Sequence, residues 1–243
     1  MIELRPIPGL PEVEQGADLA ELVVAAGAQL EDGDIMAVAQ KAVSKAEGQL
    51  RDLRQVQPSE RAQELARSLG ADPRQVQVVL DESVRLVRTD RVIIAETRHG
   101  FICANAGVDR SNVPGGEIVS LLPVDPDASA AAIRGRLREI AGVDVAVVIT
   151  DTFGRPWRTG IANVAIGVAG MAPMIDYRGR PDDFGRTMHG TVVAVADELA
   201  AAAELAMGKT DRVPAVVIRG YRLSGRFGSG RELVRPPQED LFR

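Results

Sequence analysis

Residues 143–158 read Val-Asp-Val-Ala-Val-Val-Ile-Thr-Asp-Thr-Phe-Gly-Arg-Pro-Trp-Arg, and the change of character inside this stretch decides the prediction of the fold. Residues 143–149 are almost wholly apolar and rich in β-branched side chains, which predicts a short buried strand. A carboxylate, hydroxyls and two guanidinium groups follow at once, with glycine and proline among them, and this composition predicts a loop. Because ligands of α/β proteins bind beyond the carboxyl ends of buried strands, residues 150–158 are the first candidate for a functional site.

Hard oxygen ligands are concentrated in this candidate site. Asp151 and Thr152 offer oxygen atoms of the kind that Mg²⁺ and Mn²⁺ prefer, while Arg155 could hold a phosphate or a carboxylate. Asp109 follows another predicted strand, so two strand-end aspartates could share one metal ion. Aspartates that only cap turns would explain the same pattern, and the residues alone favour that simpler interpretation.

The composition describes an ordinary globular chain with an acidic balance. Its 243 residues are 45% apolar and only 3% aromatic, so we expect a core of small aliphatic side chains. The net charge of −5 gives no basic excess that would favour nucleic acid or an anionic membrane. A single cysteine, Cys103, excludes an internal disulfide and a cysteine-rich zinc site. Without a hydrophobic signal core or a membrane-length apolar stretch, a cytoplasmic protein is expected.

The predicted helices and strands follow a mixed order. Helices are predicted from Asp18 to about Leu30, from Ser59 to Gly70, after Asp72-Pro73, from Asp125-Pro126 to near Gly142, and over Gly190–Met207. Strands are predicted at Glu3–Ile7, Ile35–Ala39, Leu86–Val87, Val92–Thr97, Phe101–Cys103, Val143–Ile149, Ile161–Val168 and Pro214–Ile218. This order favours an α+β fold with mixed sheets and flanking helices, in two intimately packed subdomains, over a Rossmann fold or a TIM barrel.

Other candidate groups for anion binding lie outside residues 150–158. Lys41 and Lys45 could contact phosphate, although a solvated basic loop explains them better from the residues alone. The glycine-rich residues 224–231 could wrap an anion or form a flexible surface loop. Neither glycine-rich nucleotide motif, Walker A or Rossmann, is present, and Cys103 is expected to be a small core residue.

Seven segments of the chain carry a resemblance to a known family. In order they are Leu10–Val13, Lys41–Gly48, Asn105–Asn112, Thr150–Arg158, Asp197–Ala200, Pro214–Gly220 and Glu232–Pro237. This set closely resembles the coenzyme F-420:L-glutamate ligases, also called F-420-0:γ-glutamyl ligases. The likeness covers essentially the whole chain, and the blocks at residues 106–112 and 150–158 are specific rather than generic nucleotide motifs.

The resemblance implies a GTP-dependent ligase that forms an amide bond between L-glutamate and the terminal carboxylate of a deazaflavin precursor of coenzyme F-420, with further γ-linked additions possible. It implies an acyl phosphate intermediate, a divalent metal (Mg²⁺ or Mn²⁺) and often K⁺. The implied metal ligands are Asp109, Asp151 and Thr152, and the implied catalytic residues are Asp109, Asp151 and Arg155. The implied nucleotide site comprises Leu10, Pro11, Glu12, Val13, Gln40, Lys41, Lys45, Asn112, Met207, Gly208 and Lys209. Many relatives carry serine in place of Gln40, and some carry glutamine in place of Lys209.

The resemblance also implies an intertwined homodimer. It predicts one ligase unit over residues 1–243, with subdomains 1–85 plus 190–243 and 86–189, and no C-terminal flavin-binding domain of the kind some members carry. Two other functions could use the same groups. A metal-dependent phosphohydrolase would turn over GTP without glutamate, and a noncatalytic deazaflavin-binding protein would consume no nucleotide.

Overall fold

Strands and helices of the computed structural model are described over residues 1–223 and 227–240, and the predicted α+β class is confirmed. The strands are β1 (Glu3–Pro6), β2 (Ile35–Ala39), β3 (Leu50–Asp52), β4 (Ser83–Arg88), β5 (Ile94–Thr97), β6 (Ile102–Ala104), β7 (Ile118–Ser120), β8 (Ala146–Arg155), β9 (Arg158–Ala169), β10 (Ile175–Asp176), β11 (Val192–Val193) and β12 (Ala215–Arg219). The α-helices are α1 (Leu19–Ala25), α2 (Gln40–Ala46), α3 (Glu60–Leu69), α4 (Pro73–Asp81), α5 (Pro126–Ala141) and α6 (Val195–Met207). Within the described ranges, no helix combines the length and apolar character that crossing a membrane requires.

A five-stranded mixed sheet in the order β1-β12-β2-β8-β9 forms the centre of the molecule. Only β2 and β8 are parallel neighbours in this sheet, and Ala39 at the end of β2 pairs with Thr150 of β8. The parallel pairing therefore ends at one edge of the sheet, where β2 stops and β8 continues. Such an edge is where mixed and parallel sheets place their ligands.

The two faces of this sheet are covered by different helices. Val147 and Ile149 pack with Leu137 of α5 on one face, whereas Val148 packs with Leu199 of α6 on the other. This alternation follows from the period of two along a strand. The buried side chains are mostly valine, isoleucine, leucine and alanine, which confirms the predicted aliphatic core.

A second layer joins α3 and α4 to a three-stranded antiparallel sheet of β4, β5 and β6. Its core is a cluster of buried side chains that includes Leu53, Val79, Ile93 and Leu121. The three short strands predicted at Leu86–Val87, Val92–Thr97 and Phe101–Cys103 are confirmed, and they pair in sequence order as a meander. The subdomain boundaries stay a prediction.

The predicted helix ends are confirmed where capping residues marked them. The Ser59 side chain accepts the Ala62 N–H at the start of α3, and Gly70 ends that helix in the left-handed region at φ +63°. Asp72 and Asp125 cap α4 and α5, each followed by proline in the first turn. These caps satisfy main-chain donors that a helix leaves without partners.

Several predicted boundaries were wrong. Helix α1 ends at Ala25 rather than near Leu30, because the chain turns at Gly27, which has φ +83°. Helix α6 begins at Val195 rather than Gly190, and the buried strand begins at Ala146 rather than Val143. Apolar residues stand directly before both starts, Val145 before β8 and residues 192–194 before α6, so local composition does not mark where these elements begin.

The predicted loop over residues 150–158 is a β-hairpin. Strand β8 continues to Arg155, the chain turns at Pro156 and Trp157, and β9 returns beside it. Gly154 and Pro156 therefore belong to the hairpin turn and its approach, and no loop begins at Thr150. The partner strand supplies the hydrogen bonds that extend β8, and a partner is invisible in a local composition pattern.

Helix α2 replaces the basic loop that the residues alone favoured around Lys41 and Lys45. Ala42 and Val43 are buried in the core beneath this helix, so its amphipathic packing fixes the segment. Both lysines consequently project from one regular element at a spacing of four residues.

A β-bulge in β9 decides which face its side chains occupy. Ile149 pairs with Gly167, but the next residue, Thr150, pairs with Ala165, so Ile166 is the extra residue. Asp197 of α6 accepts the Ala165 N–H at 2.9 Å, and Asp127 of α5 accepts the Val168 N–H at 2.8 Å. The two helices therefore fix the bulge from opposite faces, and Ala165 and Val168 both contribute to the core beneath α6.

Two glycine substitutions test this packing. A side chain at Gly167 would overlap the Pro126 backbone at the start of α5, whereas a side chain at Gly135, inside α5, meets no atom within 4 Å. Gly167→Ala should lower the free energy of unfolding by about 1–3 kcal/mol through overpacking. Gly135→Ala should raise it by about 0.5–1 kcal/mol, because alanine is the better helix former. Chemical denaturation measures both, and equal effects of the two variants would contradict the close contact of α5 with the bulge.

Candidate functional site

The candidate site lies where β2 ends beside Thr150 of β8. Helix α2 follows β2 directly and carries Lys41, while β8 continues past its parallel partner through Asp151. Asp109 arrives from a different part of the chain and is held by two main-chain hydrogen bonds with Ser120, of 3.1 and 2.8 Å. Three separate segments thus converge on one edge of the sheet.

Lys41 and Ser111 surround the carboxylate of Asp109. The Lys41 ammonium donates to Asp109 Oδ2 at 2.6 Å and to the carbonyl and hydroxyl oxygens of Ser111, both at 2.7 Å. The Ser111 N–H donates to Asp109 Oδ1 at 2.9 Å. Partial burial pushes the pKa of Asp109 upward, but the hydrogen bonds from Lys41 and Ser111 together outweigh it and hold this pKa below its usual value.

The carboxylate of Asp151 has the opposite electrostatic character. Its withdrawal from water raises its pKa to about 6, and the negative charge of Asp109 adds to the effect. The Thr152 N–H and the charges of Lys41 and Lys209 oppose it without cancelling it. Asp151 therefore carries its negative charge at a free-energy cost that a nearby cation would relieve.

The chemistry of these donors fits a divalent metal ion. Asp109 and Asp151 are near enough to influence each other's ionisation, and carboxylate oxygens are the ligands that Mg²⁺ and Mn²⁺ favour. The Lys41 ammonium already places a positive charge against Asp109 Oδ2. Among the described residues, no group of three or more His, Cys, Asp or Glu side chains could hold a metal ion. The metal site stays a prediction.

A strained turn sets the position of Asp109. Asn105, Ala106 and Gly107 all have positive φ angles, of 53°, 51° and 76°. A side chain at Gly107 would approach Leu122 to within 2.6 Å, so only glycine fits there without a shift. Asn112 follows in the same segment, exposed and also at positive φ. Backbone conformations of this kind cluster at functional sites.

Thr152 faces the opposite side of β8 from Asp151, as consecutive strand residues do. Its hydroxyl donates to Asn163 Oδ1 at 2.7 Å and accepts the Lys209 ammonium at 2.8 Å. Asn163, only 6% exposed, also donates to the Thr150 hydroxyl at 2.7 Å. The side chain of Thr152 is thus engaged with Lys209 at the end of α6, and its predicted role as a metal ligand stays a prediction.

Sequence reasoning missed Ser111 and Asn163. Ser111 stands inside the specific block at residues 106–112, next to Asp109, and that position was its signal. Asn163 is a single amide in the otherwise apolar run of residues 161–168, and such an interruption of a buried strand is a usable sign of a polar network.

Arg155 and Gln40 lie apart from the carboxylate pair. Arg155 is exposed near the hairpin tip and donates to the Thr159 carbonyl at 2.8 Å. It lies four residues, or roughly 13 Å, along the strand from Asp151. Gln40 is buried and donates to Ser44 Oγ at 2.6 Å and to the Leu121 carbonyl at 2.9 Å. Its amide links α2 to the neighbouring layer.

Of the other residues predicted for the nucleotide site, some lie at the surface and some in the core. Lys45 is largely buried and forms an ion pair with Glu12, which joins α2 to the segment Leu10–Val13. Met207 is buried in the core beneath α6, and Gly208 ends that helix at φ +61°. The nucleotide contacts of all these residues stay predictions.

Of the glycine-rich residues 224–231, residues 224–226 lie outside the described ranges. In the visible part, the Ser229 hydroxyl and the Gly230 N–H donate to the Asp127 carboxylate, at 2.5 and 2.9 Å. These two donors therefore bind the start of α5.

Comparison with known proteins spans nearly the whole chain. Residues 9–220 match the protein family described as F420-0:Gamma-glutamyl ligase. The chain belongs to this ligase family. The coenzyme F420:L-glutamate ligase of Methanopyrus kandleri is 48% identical over 248 residues, which cover 100% of this chain and 98% of the relative. The resemblance inferred from seven segments is thereby confirmed.

Other members of the F420-0:γ-glutamyl ligase family match over similar lengths. The coenzyme F420:L-glutamate ligase of Methanothermobacter thermautotrophicus is 47% identical over 250 residues, covering 100% of this chain and 99% of the relative. That of Archaeoglobus fulgidus is 44% identical over 243 residues, covering 100% and 96%.

The raised pKa of Asp151 predicts how stability depends on pH in metal-free protein. Because the folded-state pKa of about 6 lies above the ordinary 3.8, the stability that this group contributes is present below about pH 4 and is lost as the pH rises through 6. Asp151→Asn removes the ionisation, so it should stabilise the metal-free protein at neutral pH by at most about 3 kcal/mol.

Denaturation with a chelator present, at about pH 5 and pH 8, measures this effect. The advantage of Asp151→Asn over the wild type should grow between the two pH values. The control, Asp183→Asn, removes an exposed carboxylate from another loop and should show no such growth. A difference between Asp151→Asn and wild type that is constant with pH would contradict the electrostatic account.

Proposed function

We propose that this chain joins L-glutamate through an amide bond to the terminal carboxylate of a deazaflavin precursor of coenzyme F-420, with GTP as the source of activation. Full-length similarity to proteins named coenzyme F420:L-glutamate ligase carries this proposal. The convergence of Asp109, Asp151 and Lys41 beside the end of β2 supports it. Phosphoryl transfer between anions needs positive charge, which Lys41 and a divalent metal held by the two carboxylates would supply.

The chemistry follows from the poor reactivity of a carboxylate toward an amine. A precursor carboxylate oxygen attacks the γ-phosphorus of GTP, the bond from that phosphorus to the β,γ-bridging oxygen breaks, and GDP leaves. The glutamate amine then attacks the carbonyl carbon of the acyl phosphate, the carbon–oxygen bond breaks, and inorganic phosphate and a proton are released. Further rounds would use the γ-carboxylate of the glutamate just added.

Asp109 and Asp151 are the residues that would hold the divalent metal, Mg²⁺ or Mn²⁺. When bound, the metal supplies positive charge that offsets the repulsion between the two anionic substrates. Lys41 holds the Asp109 carboxylate in place before substrates arrive, through one contact with Asp109 and two with Ser111. We include K⁺ in the proposal only on the basis of the family resemblance.

The nucleotide is proposed to bind between α2 and the Asp109 segment. Lys41 and Lys45 project from one helix toward the segments that carry Asp109 and Glu12, so both ammonium groups could meet phosphate oxygens. The family resemblance adds Leu10–Val13 and Asn112. No general base is proposed, because correct positioning is sufficient if the amine enters deprotonated.

Product analysis by mass spectrometry tests the proposed reaction. Protein, precursor, GTP, metal and glutamate should yield the precursor enlarged by one or more glutamate residues, with more product from GTP than from ATP. GTP turnover without glutamate or precursor would instead identify a phosphohydrolase. Tight coenzyme binding without nucleotide consumption would identify a noncatalytic binding protein.

Asp109→Asn and Asp151→Asn should each lower the ligation rate by about 10²-fold or more, because each keeps the side-chain shape and removes one anionic ligand. The rate is measured at limiting and saturating Mn²⁺. The exposed control Asp183→Asn should retain the wild-type rate. Near-normal ligation by Asp109→Asn or Asp151→Asn at limiting metal would contradict the metal-binding role proposed for that residue.

We also propose a homodimer. Strand β9 is an edge of the central sheet, and Ile161 on it is 63% exposed. Exposed apolar edges invite pairing with another chain. Light scattering at micromolar concentration should give twice the mass of one chain, and Ile161→Lys should shift the mass toward the monomer.

Leu205→Lys is the matched control for the dimer, because Leu205 is an apolar residue that is 81% exposed on α6. It should leave the dimer intact. A monomeric mass for the unaltered protein would exclude the dimer, and equal dissociation by both variants would remove β9 from the proposed interface.

A further inference from the structure

A compact polar network occupies the α6 face of β8, on the side away from Asp109. Lys209 lies two residues beyond the end of α6, and its ammonium reaches back to the hairpin. Three oxygens lie within 3.2 Å of it: Thr152 Oγ1 at 2.8 Å, Asn163 Oδ1 at 3.2 Å and Glu204 Oε1 at 3.0 Å.

These three oxygens match the three protons of an ammonium group. They come from a hydroxyl of β8, a buried amide of β9 and a carboxylate of α6, so the cation is held by three separate elements. The carbonyl oxygen of Asn163 is oriented because its amide nitrogen donates to the Thr150 hydroxyl at 2.7 Å. The Lys209 donors are thus directed into the protein.

The charge of Lys209 nevertheless reaches the reaction centre. Its ammonium contacts the hydroxyl of Thr152, the residue next to Asp151, whose side chain faces the other side of the same strand. The Lys41 ammonium lies on the Asp109 side, where it donates to Asp109 Oδ2 at 2.6 Å. Asp151 is therefore exposed to positive potential from both faces of β8.

We propose that Lys209 is a positioning residue that supplies a fixed positive charge to the reaction centre from the α6 face of β8, through its contacts with Thr152 and Asn163. This role rests on the proposed ligase function. The charge stabilises the anionic groups that meet during phosphoryl transfer, and the contacts fix the hairpin that carries Asp151. Because like charges repel, the same lysine weakens the binding of a divalent metal near Asp151.

Lys209→Met separates charge from side-chain length. It should lower the kcat for ligation by roughly tenfold or more, because a preorganised charge is removed. It should also bind Mn²⁺ more tightly than the wild type, by roughly threefold, since one repulsive charge has gone. A residue with a purely structural role would leave Mn²⁺ affinity unchanged or lower it. Electron paramagnetic resonance measures Mn²⁺ affinity without any substrate.

Two further variants control for shape and charge. Lys209→Arg keeps the charge, so it should return Mn²⁺ affinity to the wild-type value while only partly restoring kcat, because a planar guanidinium does not reproduce the compact ammonium. Arg212→Met removes a nearby exposed cation from the same loop and should change neither quantity.

Methylammonium provides a third comparison. It should accelerate Lys209→Ala, which leaves room beside the three oxygens, and should leave Lys209→Met unchanged. The proposal is overturned if Lys209→Met keeps the wild-type kcat, if its Mn²⁺ affinity fails to rise, or if methylammonium does not accelerate Lys209→Ala. A wild-type protein without ligase activity would refute the proposed function, and the Mn²⁺ comparison would still test where the Lys209 charge acts.

Discussion

The alternation of side chains along β8 is the constraint on which the candidate site depends. Asp151 and Thr152 are neighbours in sequence, yet they serve opposite faces of one strand. The β9 bulge extends this arrangement, because it puts Asn163 on the same face as Thr152. Without the extra residue at Ile166, the amide would point toward the Asp109 side. The main-chain hydrogen bonds to Asp127 and Asp197 therefore have consequences well beyond local stability.

Electrostatic asymmetry is the second organising feature. Asp109 is stabilised in its charged form by Lys41 and Ser111, whereas burial raises the pKa of Asp151. The two carboxylates would therefore differ in how much they gain from the proposed metal. Asp151 would gain more, because its ionisation is disfavoured in the metal-free protein.

Much of the fold could be predicted from residues whose effect is local. Ser59, Gly70, Asp72 and Asp125 mark helix ends through capping chemistry, and the structure has helices there. The hairpin after Thr150 could not be predicted, because its hydrogen bonds depend on a partner strand whose register local composition does not specify. Helix α2 was not predicted for a related reason, since its packing against the sheet determines its conformation.

The residues of the candidate site likewise differ in how far the sequence alone predicts them. Carboxylate chemistry after predicted strands made Asp109 and Asp151 candidates, although the residues alone favoured turn caps. The family resemblance selected both and added Lys41 and the nucleotide segments. The facing of Asn163 and the contact of Thr152 with Lys209 could not be inferred, because a bulge in β9 sets the first and a residue 57 positions away in the chain makes the second. Such relations exist only after the chain has folded.

The left-handed turn at Asn105–Gly107 has a consequence for how this protein can change over evolutionary time. Left-handed backbone costs roughly 1–2 kcal/mol for each residue that carries a side chain, and Asn105 and Ala106 both do. Drift toward glycine at Ala106 would relieve the strain, but it would also enlarge the range of positions open to Asp109. Selection for thermal robustness and selection for turnover therefore pull this turn in opposite directions.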